Sequence, residues 1–164
     1  MKVVVFTGAG EVEVRSDPSA EPGPDQLIVD IDACGICTFE RRLFAGEKPW
    51  YPVAAGHEAG GVVTKLGSAV DGLPGSPRVG DRVTIDLLTR CGTCGPCRRG
   101  KTALCRSEQG RVLSDGTVSM GGLSDRIVVD AKSVYPIGNA PMEHAAMGEP
   151  IACCVHSLRQ GGFQ

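Results

Sequence analysis

Cys91, Cys94, Cys97 and Cys105 stand in the stretch CGTCGPCRRGKTALC at the spacing C-x2-C-x2-C-x7-C. Four thiolates can close a tetrahedron around Zn²⁺ at roughly 2.3 Å each, provided that a tight loop turns every sulfur inward. Gly92, Gly95, Pro96 and Gly100 supply such a loop. Two disulfides are the alternative, and the eight cysteines of the chain allow about 105 connectivities. Disulfides belong to secreted proteins, and the N-terminus MKVVVFTGAGEVEVR has no sustained apolar core of a signal peptide. A cytoplasmic location, reducing and therefore favourable to zinc, is the expectation.

A second set of candidate ligands is scattered. Cys37 lies in ACGICTFE, His57 and Glu58 adjoin in AAGHEAGG, and Glu149 lies in MGEPIACCVH. Singly, each has a bland reading: a small buried cysteine, an ordinary histidine, a solvated acid at a helix start. Together, one thiolate, one imidazole and one carboxylate make the three-ligand set of a catalytic zinc, whose fourth position is left for water or substrate.

The elements that must position these residues are short. Strand-like runs cover Lys2–Phe6, Val12–Arg15, Gln26–Ala33, Gly61–Leu66, Arg82–Leu87 and Asp125–Val129. Turn clusters such as DPSAEPGPDQ and LGSAVDGLPGSPRVGD separate them. This punctuation predicts a mainly β protein, an antiparallel barrel or sandwich with a few short helices. Thr38–Ala45 is one predicted helix, and Ala140–Gly161 is another, broken at Pro150. The 164 residues suffice to bury about 70% of the unfolded surface in one domain. With 17 basic against 19 acidic residues and no basic stripe, nucleic acid is not an expected partner. No apolar run is long enough for a membrane helix.

In order and wording, CGIC, GHEAGG, VGDRV, the four-cysteine stretch, GGLSDRIVV and GEPIACCVHSL resemble the zinc-dependent medium-chain alcohol and polyol dehydrogenases. That group contains the sorbitol, threonine and glucose dehydrogenases. The resemblance covers nearly the whole chain and implies a GroES-like β-barrel over residues 1–164, with a protruding zinc lobe at about 90–106. It implies a catalytic zinc on Cys37, His57 and Glu149, with Glu58 beside it, and a structural zinc on Cys91, Cys94, Cys97 and Cys105. The implied chemistry is hydride transfer between NAD or NADP and a secondary alcohol or polyol. A carboxylate as third ligand is the pattern of the polyol-type members. Glu40 takes the place of an acid that holds the far nitrogen of the histidine ligand. Cys34, Cys153 and Cys154 match no ligand position and read as buried small residues, while His144 and His156 stay unassigned.

Two departures accompany the resemblance. Phe39 stands where the family carries a hydroxyl that relays the substrate proton, with Thr38 one residue away. Arg42, where some members place a relay histidine, remains charged and could instead bind an anionic substrate group bidentately. The family also carries a nucleotide-binding Rossmann domain, and no G-x-G-x-x-G follows a strand in these residues. Two expectations stay open: the catalytic domain of a dehydrogenase that is inactive alone, or a zinc module without dehydrogenase activity. A homo-oligomer or a partner chain supplying the cofactor domain is compatible with either.

Overall fold

The computed structural model describes residues 1–18, 21–70, 75–88, 90–106 and 111–163. The chain opens with a hairpin of β1 (Lys2–Gly8) and β2 (Glu11–Ser16), then runs through the long strand β3 (Gln26–Cys34) into helix α1 (Thr38–Phe44). Strands β4 (Val53–Ala54), β5 (Glu58–Leu66) and β6 (Arg82–Asp86) follow. The cysteine lobe contains α2 (Gly95–Arg98) and a 3₁₀ turn at Thr102–Leu104. The rest comprises β7 (Arg111–Val112), β8 (Val118–Ser119), β9 (Arg126–Asp130), β10 (Val134–Pro136), α3 (Met142–Ala146) and α4 (Gly148–Gln160). The mainly β expectation holds.

The strands form two sheets of five, in the orders β2-β1-β4-β8-β7 and β10-β6-β5-β3-β9. Pairing is antiparallel apart from β4 with β8. The sheets meet where the segment before β9 crosses β1, through Val4 N–H to Leu123 O at 2.9 Å and Asp125 N–H to Lys2 O at 3.0 Å. In β6 and β9 every second residue is buried, the period that a half-buried strand requires. Leu27, Val29, Val63, Val83, Ile85 and Val129 form the larger core. Each such side chain, fully buried, contributes about 1.5–3 kcal/mol.

A smaller cluster of Phe6, Leu43, Val53 and Ala55 lies beneath α1, with Phe39, Tyr51 and Leu123 packed against it. The Tyr51 hydroxyl donates to the Leu43 carbonyl. This cluster seats α1 on β1 and β4.

Three corrections to the sequence reading follow. Strands β4, β7, β8 and β10 were not predicted, because two or three residues carry too little periodicity to register. The C-terminal helix breaks at Met147, and Pro150 sits inside the first turn of α4. Proline is tolerated there because that N–H has no intrahelical acceptor in any case. Cys153 and Cys154 are exposed, because only the first turn of α4 is even partly covered by the sheet. Cys34, by contrast, is half-buried against the larger core, and burial foremost pushes its thiol up to about 12.

Helix α3 rests directly on β5 and is the element that brings α4 to the sheet. At Gly60 an added Cβ would overlap the Ala145 methyl and stand 2.9 Å from the Val83 carbonyl oxygen. Thr84 Oγ1 also donates to the Ala145 carbonyl at 2.7 Å.

Candidate metal centres

The lobe brings Cys91, Cys94, Cys97 and Cys105 together, with all four sulfurs within 4.8 Å of one another. Cys94 is the N-cap of α2, Cys97 lies within that helix, and Cys105 follows the 3₁₀ turn. The backbone turns toward sulfur: Cys94 N–H donates to Cys91 Sγ at 3.3 Å, and Cys91 N–H to Cys105 Sγ at 3.4 Å. N–H donors of this kind stabilise thiolate. Those from Cys94 and Thr93 lower Cys91 to about 6, and the Arg106 backbone foremost lowers Cys94. Burial of the sulfur pushes Cys97 up to about 12. The 3.6 Å between the Cys91 and Cys105 sulfurs is far beyond the roughly 2.05 Å of a disulfide.

The second site gathers residues far apart in sequence. Cys37 is the N-cap of α1, and Glu40 is its third helical residue. That is capping-box spacing, and Glu40 Oε2 duly accepts from Cys37 N–H at 3.0 Å. The other oxygen of Glu40 accepts from Gly56 N–H at 3.0 Å and lies 3.2 Å from His57 Nδ1. One buried carboxylate therefore positions the Cys37 backbone, the turn before β5 and the imidazole. Glu40 is 1% exposed. Burial would raise its pKa, but hydrogen bonds from His57 and Gly56 outweigh it and hold the carboxyl below its usual range. The same hydrogen bond, aided by the charges of Glu40, Glu149 and Glu58, raises His57 against the opposing effect of burial.

Cys37 and His57 group with Glu40, and His57 groups with Glu58 and Glu149, each set with its donor atoms within 4.8 Å. His57 is the member common to both. Glu58, at the start of β5, lays its carboxylate against Gly35, where a Cβ would overlap Oε2. Glu149 lies in the first turn of α4 and lines a 450 Å³ cleft between that helix and the lobe, together with Thr102, Ala103 and His156. Cys37 and Glu149 thus each lie near His57 but in different groups, and among the described residues no single group holds Cys37, His57 and Glu149. His144 is exposed and joins neither group.

Three neighbours escaped the sequence reading. Cys153 Sγ donates to Glu149 Oε1 at 3.2 Å, and its position four residues along the helix from Glu149 was the available signal. Lys48 and Trp50 lie beside Phe39, whose ring stands edge-on to His57 at 6.1 Å. No pattern in the sequence marks those two. Arg42 is engaged by Glu47 at 3.0 Å.

Comparison with known proteins gives the same outline. D-altritol 5-dehydrogenase of Agrobacterium fabrum is 32% identical over 168 residues, a match covering 99% of this chain and 47% of that protein. The structure of galactitol-1-phosphate dehydrogenase from Escherichia coli superposes with a TM-score of 0.81 at 30% identity, over 99% of this chain and 46% of that one. An alcohol dehydrogenase from Escherichia coli CFT073, solved with NADH, gives a TM-score of 0.80 at 29% identity, over 99% and 46%. The chain spans a little under half the length of these proteins. The family model "Alcohol dehydrogenase GroES-like domain" matches residues 23–139, a stretch that holds both the cysteine lobe and the Cys37–His57 pair, and the chain belongs to that family.

Proposed function

We propose that this chain is the metal-binding catalytic domain of a polyol-type alcohol dehydrogenase that transfers hydride between NAD or NADP and a secondary alcohol or polyol. The observation that carries the reading is His57 standing between two donor groups, Cys37 with Glu40 of α1 on one side and Glu58 of β5 with Glu149 of α4 on the other. The donor set fits zinc, which takes sulfur, nitrogen and carboxylate oxygen together. Glu40 at Nδ1 leaves Nε2 of His57 as the coordinating nitrogen. Cys37, His57 and Glu149 would hold the catalytic ion, and Cys91, Cys94, Cys97 and Cys105 a structural one.

Bound zinc supplies Lewis-acid polarisation of the alcohol oxygen. The remaining work belongs to the chain's own side chains. Glu40 fixes the imidazole tautomer and ring plane. Glu58, beside the open side of His57, accepts or returns the hydroxyl proton, the task that Phe39 cannot perform. Phe39 instead shields the site from water.

Two measurements test the reading. Purified without chelator, the chain should carry up to two zinc ions, and Co²⁺ substitution should give thiolate-to-cobalt absorption that Cys37→Ser lowers and Cys94→Ser lowers independently. With NAD or NADP and a panel of polyols the 164-residue chain should be silent, and the same residues joined to a nucleotide-binding domain should turn over. Co²⁺ spectra insensitive to Cys37→Ser would remove the catalytic centre from the proposal. Turnover by the 164-residue chain alone would show that the chemistry needs no further domain.

A further inference from the structure

Beside His57 the chain builds a feature that metal chemistry does not require. The Phe39 and Trp50 rings lie 5.8 Å apart at 58°, and Lys48 Nζ sits over both, 4.7 Å from the Trp50 centroid and 5.6 Å from that of Phe39. The Lys48 backbone is fixed at the end of α1, its N–H donating to the Arg42 carbonyl at 3.2 Å, and its own carbonyl accepts from Trp50 N–H at 2.8 Å. Among the described residues no carboxylate lies in ion-pair range of its ammonium, whereas nearby Arg42 is taken up by Glu47. The lysine is only partly exposed. An ammonium over aromatic faces is drawn to them by the ring quadrupoles, and Trp50, 60% exposed, leaves the spot open to a ligand from solvent.

We propose that Lys48, framed by Phe39 and Trp50, receives the phosphate of a polyol phosphate whose reacting hydroxyl lies at the His57 site. The proposal rests on the function proposed above and deepens it by naming the substrate class. A polyol carbon chain leaving His57 passes the Phe39 edge, which offers hydrocarbon contact and no hydrogen bond, and then reaches the ammonium. A neutral terminal hydroxyl gains little from a lone cation there, while a dianion gains a charge-assisted contact. A lysine that merely lays its methylenes on two rings is the competing account, and it gives no preference for phosphate.

Trp50 is the only tryptophan in the chain, so its fluorescence reports on this spot directly. The zinc-loaded chain is titrated with galactitol 1-phosphate, galactitol and inorganic phosphate. Galactitol 1-phosphate should shift Trp50 emission saturably at a concentration at least about tenfold below that for galactitol. Lys48→Met should erase that advantage and leave the galactitol response, and Lys48→Arg should keep most of it. Equal responses to the two polyols, no response to galactitol 1-phosphate, or an advantage that survives Lys48→Met would overturn the proposal. Cys37→Ser separates the two readings. If the catalytic centre is assigned correctly, this variant weakens the response to both polyols and spares the weak one to inorganic phosphate; if only that assignment is wrong, the phosphate advantage persists with Cys37→Ser and still disappears with Lys48→Met.

Discussion

Glu40 Oε1 lies 3.2 Å from His57 Nδ1 while also accepting the Gly56 N–H at 3.0 Å, in a position that is 1% exposed. Removing that carboxylate strands two backbone donors and frees the imidazole. Glu40→Ala should lower unfolding stability by about 2–4 kcal/mol and weaken metal binding at His57 by about 10–100-fold. Glu40→Gln, which keeps the shape and one acceptor, should recover most of the stability and less of the affinity. Denaturant unfolding and competitive chelation read the two effects separately.

The cysteine lobe should behave as an independent unit. Cys94→Ser should release one zinc and raise hydrogen exchange across roughly residues 90–106, leaving the protection of β3, β5 and β6 unchanged. Because thiols must lose protons to bind, retention of that zinc against a chelator should fall as the solution is acidified.

Gly60→Ala tests the seat of α3. The added methyl collides with Ala145 and approaches the Val83 carbonyl, so the helix must lift, at a cost of about 1–3 kcal/mol. Glu149 follows α3 directly in the chain and should be displaced, so metal analysis should find the lobe zinc retained and the second ion weakened. Adding Ala145→Gly should restore both.

A pH effect is expected at the β7–β8 hairpin. Asp115 accepts from Thr117 N–H at 2.8 Å and from Arg15 at 2.9 Å, and the Thr117 N–H foremost holds its carboxyl below the ordinary 3.8. A depressed folded-state value contributes stability above the unfolded value, and that contribution is lost as pH falls through the folded one. The stability difference between the chain and Asp115→Asn should therefore be largest near neutrality and shrink as pH falls below the ordinary 3.8 and through the lowered folded-state value, read from denaturant midpoints and an NMR titration of Asp115.

How much of this was legible in the sequence depended on how local each signal was. The four cysteines declare themselves within one loop, while β6 and β9 alternate within single segments and β3 shows a run rich in Ile and Val. Glu40 is placed beneath His57 by the family resemblance, and the capping spacing of Cys37 and Glu40 is a local signal that points the same way. The exposure of Cys153 was not legible, because composition gives no hint of where a helix leaves its sheet. Lys48 and Trp50 were equally hidden: neither spacing nor residue type marks a cation resting on two rings. That contact exists only once α1 is seated on the Phe6, Leu43 and Val53 cluster.

The two centres also differ in when they can exist. Cys91 to Cys105 is a short loop, whose closure costs little entropy, so the four thiolates can capture metal on a chain that has not yet acquired its sheets. His57 meets Cys37 on one side and Glu149 on the other only after β3 has paired with β5 and α3 has docked on β5. Metal loading is therefore expected to be ordered in time, the lobe before folding is complete and the second site after it. A refolding chain offered a limiting amount of zinc should fill the lobe first, whatever the final affinities of the two sites.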